Sequence, residues 1–330
     1  MVEIAMYREY YGLTDQPFDL SSNPRFLFLS AGHREALVHL QYGLTGRAGL
    51  TVLVGEAGTG KTTLVKAALA TSKTGRRTVH LANPTLSRSE FFAYLSDGFD
   101  FAQEAGASKR RFLRELEGAL TGSQDHGGLS LIVDEAQSLP NELLEEVRLL
   151  TNTEATSGAS LGVILVGQPE LATRLNDPGL RQLKQRIALR CELAPLDLRE
   201  TAAYIAVRVR MAGGKAEALF TREAVTTIFE RSKGIPRTIS VICDNALVSG
   251  FALARKPVGR DIILEVCRDF QLGGAPPRAG AILEEASQVQ PIVGGAGRAV
   301  VAGGDVKAAE REGLARMFPR LSWRRRVSFF

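Results

Sequence analysis

The chain has 330 residues, 45% of them hydrophobic and 23% charged, which is ordinary for a globular protein and long enough for two compact domains or one large one. Its net charge of +5 is unevenly placed: nine Arg and Lys face five Asp and Glu from Leu272 onward, which leaves +4 there and +1 for the rest. So weakly charged a body falls outside the strongly basic class that coats nucleic acid.

Cys191, Cys243 and Cys267 are odd in number, widely spaced and set among apolar residues. Without metal-ligand spacing they predict buried free thiols and a reducing, cytoplasmic setting. The opening MVEIAMYREYYGL is broken by Glu3, Arg8 and Glu9, and no apolar run reaches about 18 residues, so neither a secretory leader nor a membrane span is expected.

Tyr7, Tyr10, Tyr11, Phe18, Phe26 and Phe28, with Pro17 and Pro24, predict an ordered but irregular aromatic segment. Its rings either wall a nucleotide base beside the next motif or pack as plain core. Ser30 is placed to cap a helix from His33 to Leu44 with Ala36, Leu37, Leu40 and Leu44 on one face.

Thr51–Val54 reads as a buried strand, and Gly55-Glu56-Ala57-Gly58-Thr59-Gly60-Lys61-Thr62 matches G-x-x-x-x-G-K-[ST], with a helical pattern from Thr63. Glycines let successive backbone N–H groups turn inward around an anion, and the following helix adds its positive end. Gly55 to Thr63 is therefore the expected triphosphate cradle. Lys61 reaches the β- and γ-phosphates of ATP and the Thr62 hydroxyl ligates Mg²⁺.

Arg77–Ala82 reads as a second strand, and residues 89–101 and 109–120 as helices. Leu129–Val133 is an apolar strand ending in Asp134-Glu135. There Asp134 holds the metal through its water shell and Glu135 orients or deprotonates the attacking water, unless the pair merely caps the next helix. A helix over 141–150 and a polar loop lead to another buried strand, Leu161–Gln168, that ends in a polar amide. Gln168 is placed either against the γ-phosphate and water or as a strand-end turn residue. Alternating strands and helices predict a parallel sheet covered on both sides, with ligands at the C-terminal strand ends where Gly55, Asp134 and Gln168 fall.

Leu180–Arg190 is expected as a basic helix whose Arg181, Arg186 and Arg190 are either arginine-finger candidates or a solvated face. After Pro195 the pattern is purely helical (198–211, 221–231, 236–254 and 261–270), which predicts a small lid. Pro236 opens its third helix, and Arg237 beside it is placed to close over the nucleotide. From Gly273 a Gly-rich stretch with little periodicity reads as a flexible linker. It ends in residues 316–330, Arg interleaved with Phe and Trp, which suit an anionic membrane surface or a partner protein, or have no role.

Tyr11-Gly12-Leu13 with Pro17-Phe18, Gly32-His33, GEAGTGKTT, LIVDEAQ, GQPEL at 167–171, QRI at 185–187 and GIPR at 234–237 resemble the AAA+ ATPases of the ExeA/GspA type. The resemblance runs from Tyr7 to about Phe270. It implies Walker A at 55–62, Walker B at Asp134-Glu135, sensor 1 at Gln168, an arginine finger at Arg186 and sensor 2 at Arg237. The same motifs resemble the TniB/TnsC-like transposition ATPases, which assemble on DNA. Secretion ATPases of this type often add a transmembrane segment and a peptidoglycan-binding domain, where this chain has the Gly-rich stretch and basic tail.

The expected fold is α/β, a P-loop NTPase (AAA+) parallel sheet between helices over 1–194, followed by an all-α lid over 195–271 and a flexible tail over 272–330. The expected activity is ATP hydrolysis with Mg²⁺ in a ring or filament, with Glu135, Lys61, Gln168, Arg186 and Arg237 acting on the phosphates. Expected partners are a secretion, exopolysaccharide or pilus assembly system at the cytoplasmic face of the inner membrane. The alternatives are a DNA-associated transposition regulator and a nucleotide-gated scaffold with negligible turnover.

Overall fold

The computed structural model describes residues 2–20, 28–45, 49–72, 75–82, 84–121, 128–153 and 160–272. The Gly-rich stretch, the basic tail and Phe26 lie outside the described residues.

Helices α1 (Val2–Tyr11) and α2 (Ala31–Leu44) precede β1 (Leu50–Gly55) and α3 (Lys61–Thr71). Then come β2 (Arg77–Leu81), α4 (Arg88–Gly98), α5 (Lys109–Thr121), β3 (Leu129–Val133), α6 (Asn141–Leu150) and β4 (Gly162–Gly167). Two short helices, α7 (Pro169–Arg174) and α8 (Arg181–Lys184), lead to β5 (Ile187–Leu193). The chain then continues through α9 (Leu198–Met211), α10 (Ala216–Leu219), α11 (Arg222–Ser232), α12 (Pro236–Ala252) and α13 (Arg260–Asp269).

The strands form a parallel sheet in the order β2-β3-β4-β1-β5. β1, β3 and β4 are buried along their whole lengths, as strands covered on both faces must be. Successive residues feed opposite cores. Leu50, Val52 and Val54 pack with Phe91, Phe112 and Leu143 on the face covered by α4, α5 and α6. Leu53, Ile132, Ile164 and Val166 pack with Leu40, Leu44 and Leu64 of α2 and α3 on the other. Each such fully buried side chain contributes about 2 kcal/mol of transfer free energy.

Two elements differ from expectation. Val2–Tyr11 is a helix rather than irregular chain. Tyr7, Tyr11, Leu13 and Phe18 lie in the core of the C-terminal helices with Tyr204, Ile242 and Val258. Tyr11 Oη donates to the Leu247 carbonyl at 3.1 Å, and Tyr10 meets Phe251 edge to face at 5.4 Å. Of the two roles open to these rings, Tyr7, Tyr11 and Phe18 take core packing. The expected basic helix over 180–190 is the second correction. Only Arg181–Lys184 are α-helical there, after a 3₁₀ turn over Pro178–Leu180, and Ile187–Leu193 form the edge strand β5 on β1. Its side chains alternate inward and outward, with Cys191 and Leu193 buried and Arg190 and Glu192 exposed.

The C-terminal helices match the expected pattern apart from the extra turn of α10. All three cysteines are free and buried. Among the described residues no helix is long and apolar enough to cross a membrane.

Candidate functional site

The site is built where β1, β3 and β4 end. Gly55 lies so close to β5 that a Cβ there would meet the Leu193 carbonyl oxygen at 2.7 Å. Gly58 and Gly60 hold φ of +83° and +99°, a region glycine enters without strain. The loop between them curls back on itself, with Thr59 N–H and Oγ–H both donating to the Glu56 carbonyl. The first helical bond of α3 runs from Leu64 N–H to the Gly60 carbonyl, so the N–H groups of Lys61, Thr62 and Thr63 are left as the unpaired donors of a helix start. Such donors, with the helix dipole behind them, form an anion site.

Lys61 is only 5% exposed, and its Nζ donates to the carbonyls of Gly55 at 2.7 Å and Glu56 at 3.0 Å. Burial lowers its proton affinity, opposed by the charges of Glu135 and Asp134. Thr62 Oγ1 donates to Asp134 Oδ2 at 2.7 Å, which ties the first turn of α3 to the end of β3. Asp134 is 3% exposed; its N–H bonds the Leu81 carbonyl, and its Oδ1 accepts the Glu135 N–H at 3.0 Å.

Glu135 sits at φ +51°, a left-handed conformation that costs a non-glycine residue about 1 kcal/mol. Its Oε2 accepts from Gln168 Nε2 at 3.1 Å and from Gln137 Nε2 at 2.5 Å, while Gln168 N–H donates to Gln137 Oε1 at 3.0 Å. The Arg174 guanidinium in turn holds the Gln137 carbonyl, and its other nitrogen donates to Asn141 Oδ1 at 2.6 Å. Sequence reasoning missed Gln137 and Arg174. The signal for Gln137 was an amide two residues after an acidic pair, within reach of its carboxylate; Arg174 comes into range only through the fold.

His80 of β2 brings Nε2 to 4.0 Å from Asp134 Oδ2, and that nitrogen has no hydrogen-bond partner. Burial pushes its pKa down, against the pull of Asp134. From the C-terminal helices, the Arg237 N–H donates to the Gly58 carbonyl at 3.2 Å, so the start of α12 rests on the loop. Gly234, at φ +73°, allows this approach: a Cβ there would lie 1.9 Å from the Leu196 carbonyl oxygen.

The structure thus brings together Gly55–Thr63, Asp134, Glu135, Gln168 and Arg237, and leaves Arg186 apart. Arg186 is exposed just before Ile187, which pairs with Leu50 at the start of β1, whereas the loop leaves the far end of that strand. Arg181 and Arg190 are exposed too. The oxygen donors Thr62 and Asp134 are hard ligands, and two such groups beside an anion cradle fit a Mg²⁺ ion that shares its shell with phosphate and water.

A family model described as an AAA domain matches residues 44–175. General secretion pathway protein A of Aeromonas hydrophila is 40% identical over 261 residues, covering 78% of this chain and 48% of that protein, so the chain spans about half the length of this relative. Among solved structures, Cdc6p from Pyrobaculum aerophilum overlays with a TM-score of 0.59 at 16% identity, over 78% of this chain and 71% of that one. The ORC2 protein of Aeropyrum pernix, in ADPNP–ADP complexes, gives 0.56 at 18% identity, over 79% and 72%. A Walker-type ATPase of Pyrococcus abyssi gives 0.53 at 20% identity, over 77% of each. The parallel sheet with its phosphate loop and these likenesses together make the chain a P-loop protein of the AAA+ family, related to General secretion pathway protein A.

Proposed function

We propose that this chain binds ATP with Mg²⁺ and hydrolyses it as a molecular switch serving a secretion or related envelope-assembly system. The observation that carries this reading is the Thr62–Asp134 hydrogen bond beside a phosphate loop, with Glu135 held one residue further on. The loop N–H groups and Lys61 bind the phosphates, and Lys61 exchanges its two carbonyl partners for phosphate oxygens. Thr62 and Asp134 would hold the Mg²⁺ ion, whose charge would offset that of the phosphates.

Glu135 takes the proton of the attacking water or orients it, and Gln168 and Gln137 fix the direction of its carboxylate. Arg237, on the helix resting against the loop, approaches the γ-phosphate side and passes nucleotide state to the C-terminal helices. Arg186 lies too far along β1 to serve its own site, which supports its supply to a neighbouring subunit in a ring or filament.

The secretion role rests on the likeness to General secretion pathway protein A, which covers about half of that protein's length. Placement at the cytoplasmic face of the inner membrane belongs to the same proposal. ATP turnover followed against protein concentration tests the reading. Turnover per chain that rises as subunits meet supports it, and none at any concentration contradicts it.

A further inference from the structure

His33 touches the phosphate loop from outside the anion cradle. It lies in the first turn of α2 and is 4% exposed, with both ring nitrogens engaged. Nδ1 is 2.8 Å from Ser30 Oγ, and Nε2 is 3.1 Å from the carbonyl oxygen of Thr59. A carbonyl only accepts, so Nε2 carries the proton and Nδ1 accepts the Ser30 hydroxyl. Ser30 is at the same time the cap of α2, its Oγ accepting the His33 N–H at 3.3 Å. Helix cap, imidazole and loop carbonyl thus form one chain of hydrogen bonds, and burial favours the neutral ring this arrangement requires.

The peptide joining Thr59 to Gly60 is planar and trans, so its C=O and N–H point in opposite directions. A carbonyl tied down on the α2 side turns the Gly60 N–H the other way, along with the open donors that start α3. Gly60 at φ +99° is where this peptide has most freedom to flip, because glycine resists neither orientation. The neighbouring carbonyl, of Gly58, is taken by the Arg237 N–H. Two successive loop carbonyls are thereby held from outside, one by α12 and one by His33.

We infer that His33 is a positioning residue for phosphate binding, which presets the Thr59–Gly60 peptide so that its N–H faces the β-phosphate of a bound nucleotide. The inference rests on the nucleotide-binding reading and adds to it the part of the cradle that lies on α2. Because the β-phosphate is common to ATP and ADP, both lose affinity equally when the tether is cut.

The test is calorimetric binding of ADP and ATP, with Mg²⁺, to the full chain and to His33→Leu, His33→Gln and Ser30→Ala, with the unfolding temperature of each measured in parallel. His33→Leu is expected to lose about tenfold in affinity for both nucleotides, the size of one well-placed hydrogen bond. His33→Gln, whose amide N–H reaches about as far as Nε2, recovers most of that loss. Ser30→Ala, which frees the ring to swap tautomers but is the milder packing change, loses about threefold. Equal affinity in wild type, His33→Leu and Ser30→Ala overturns the inference while leaving the nucleotide site intact. So does a loss in His33→Leu that His33→Gln fails to recover, since that marks packing. A wild-type chain that binds neither nucleotide overturns this inference and the reading beneath it together.

Discussion

Thr62 Oγ1 donates to Asp134 Oδ2 across 2.7 Å, although 72 residues separate them in sequence. This bond fixes the start of α3 against the end of β3 and leaves the adjacent Glu135 carboxylate directed by two amides. Binding and chemistry therefore divide between neighbouring residues, and the two are separable by mutation.

Glu135→Gln should separate them. The substitution keeps the shape and removes the proton acceptor, so affinity for ATP stays within about twofold of wild type while turnover falls by at least about 100-fold. Rapid quench of bound, labelled ATP measures this. Turnover near the wild-type rate would remove Glu135 from its role.

Arg186 yields a mixing experiment. Arg186→Ala should bind nucleotide normally, because the residue sits by the Leu50 end of β1, away from its own loop. Alone it should be inactive, as should Lys61→Ala. Mixed in equal amounts, the two should recover about a quarter of wild-type turnover, since random assembly pairs an intact loop with an intact arginine that often. No recovery would mean that Arg186 does not act between subunits.

Much of this was legible in the sequence. The strand, loop and helix around Lys61 announce themselves because phosphate binding demands those residues in that order. β5 was hidden because two periods overlap in one stretch. Leu180, Leu183 and Ile187 are spaced for a helix face, whereas Ile187, Leu189, Cys191 and Leu193 alternate for a strand. Tertiary pairing with β1 decides the matter, and the helix stops after one turn. Gln137 stands two residues past the acidic pair, a spacing that was there to be read, whereas Arg174 and His33 act through contacts that no spacing rule encodes.

Gly234→Ala should unfold the junction between the sheet and the C-terminal helices. The added methyl would stand 1.9 Å from the Leu196 carbonyl oxygen, at a φ of +73° that alanine resists. A loss of about 3 kcal/mol in unfolding free energy is expected, measured by urea titration. A change under about 0.5 kcal/mol would show that this turn yields freely.

Acid should weaken the fold through two histidines. Burial lowers the proton affinity of His33 and His80 relative to the unfolded chain. The unfolded chain then binds more protons between the lowered values and about 6.5, so the stability these rings lend is complete above pH 6.5 and lost as the pH falls below it. Urea midpoints at pH 7.5 and 5.5 measure the effect, and His33→Gln should show a smaller drop than wild type. An equal drop in both would take His33 out of the linkage.

Every step of the proposed switch depends on the phosphate loop holding a triphosphate. Calorimetric titration of Mg²⁺-ATP into the purified chain, beside Lys61→Ala, tests that most directly. Saturable binding by wild type with one nucleotide per chain, and at least about 100-fold weaker binding by Lys61→Ala, is the predicted result. No binding by the folded wild-type chain, or equal binding by both, would contradict it.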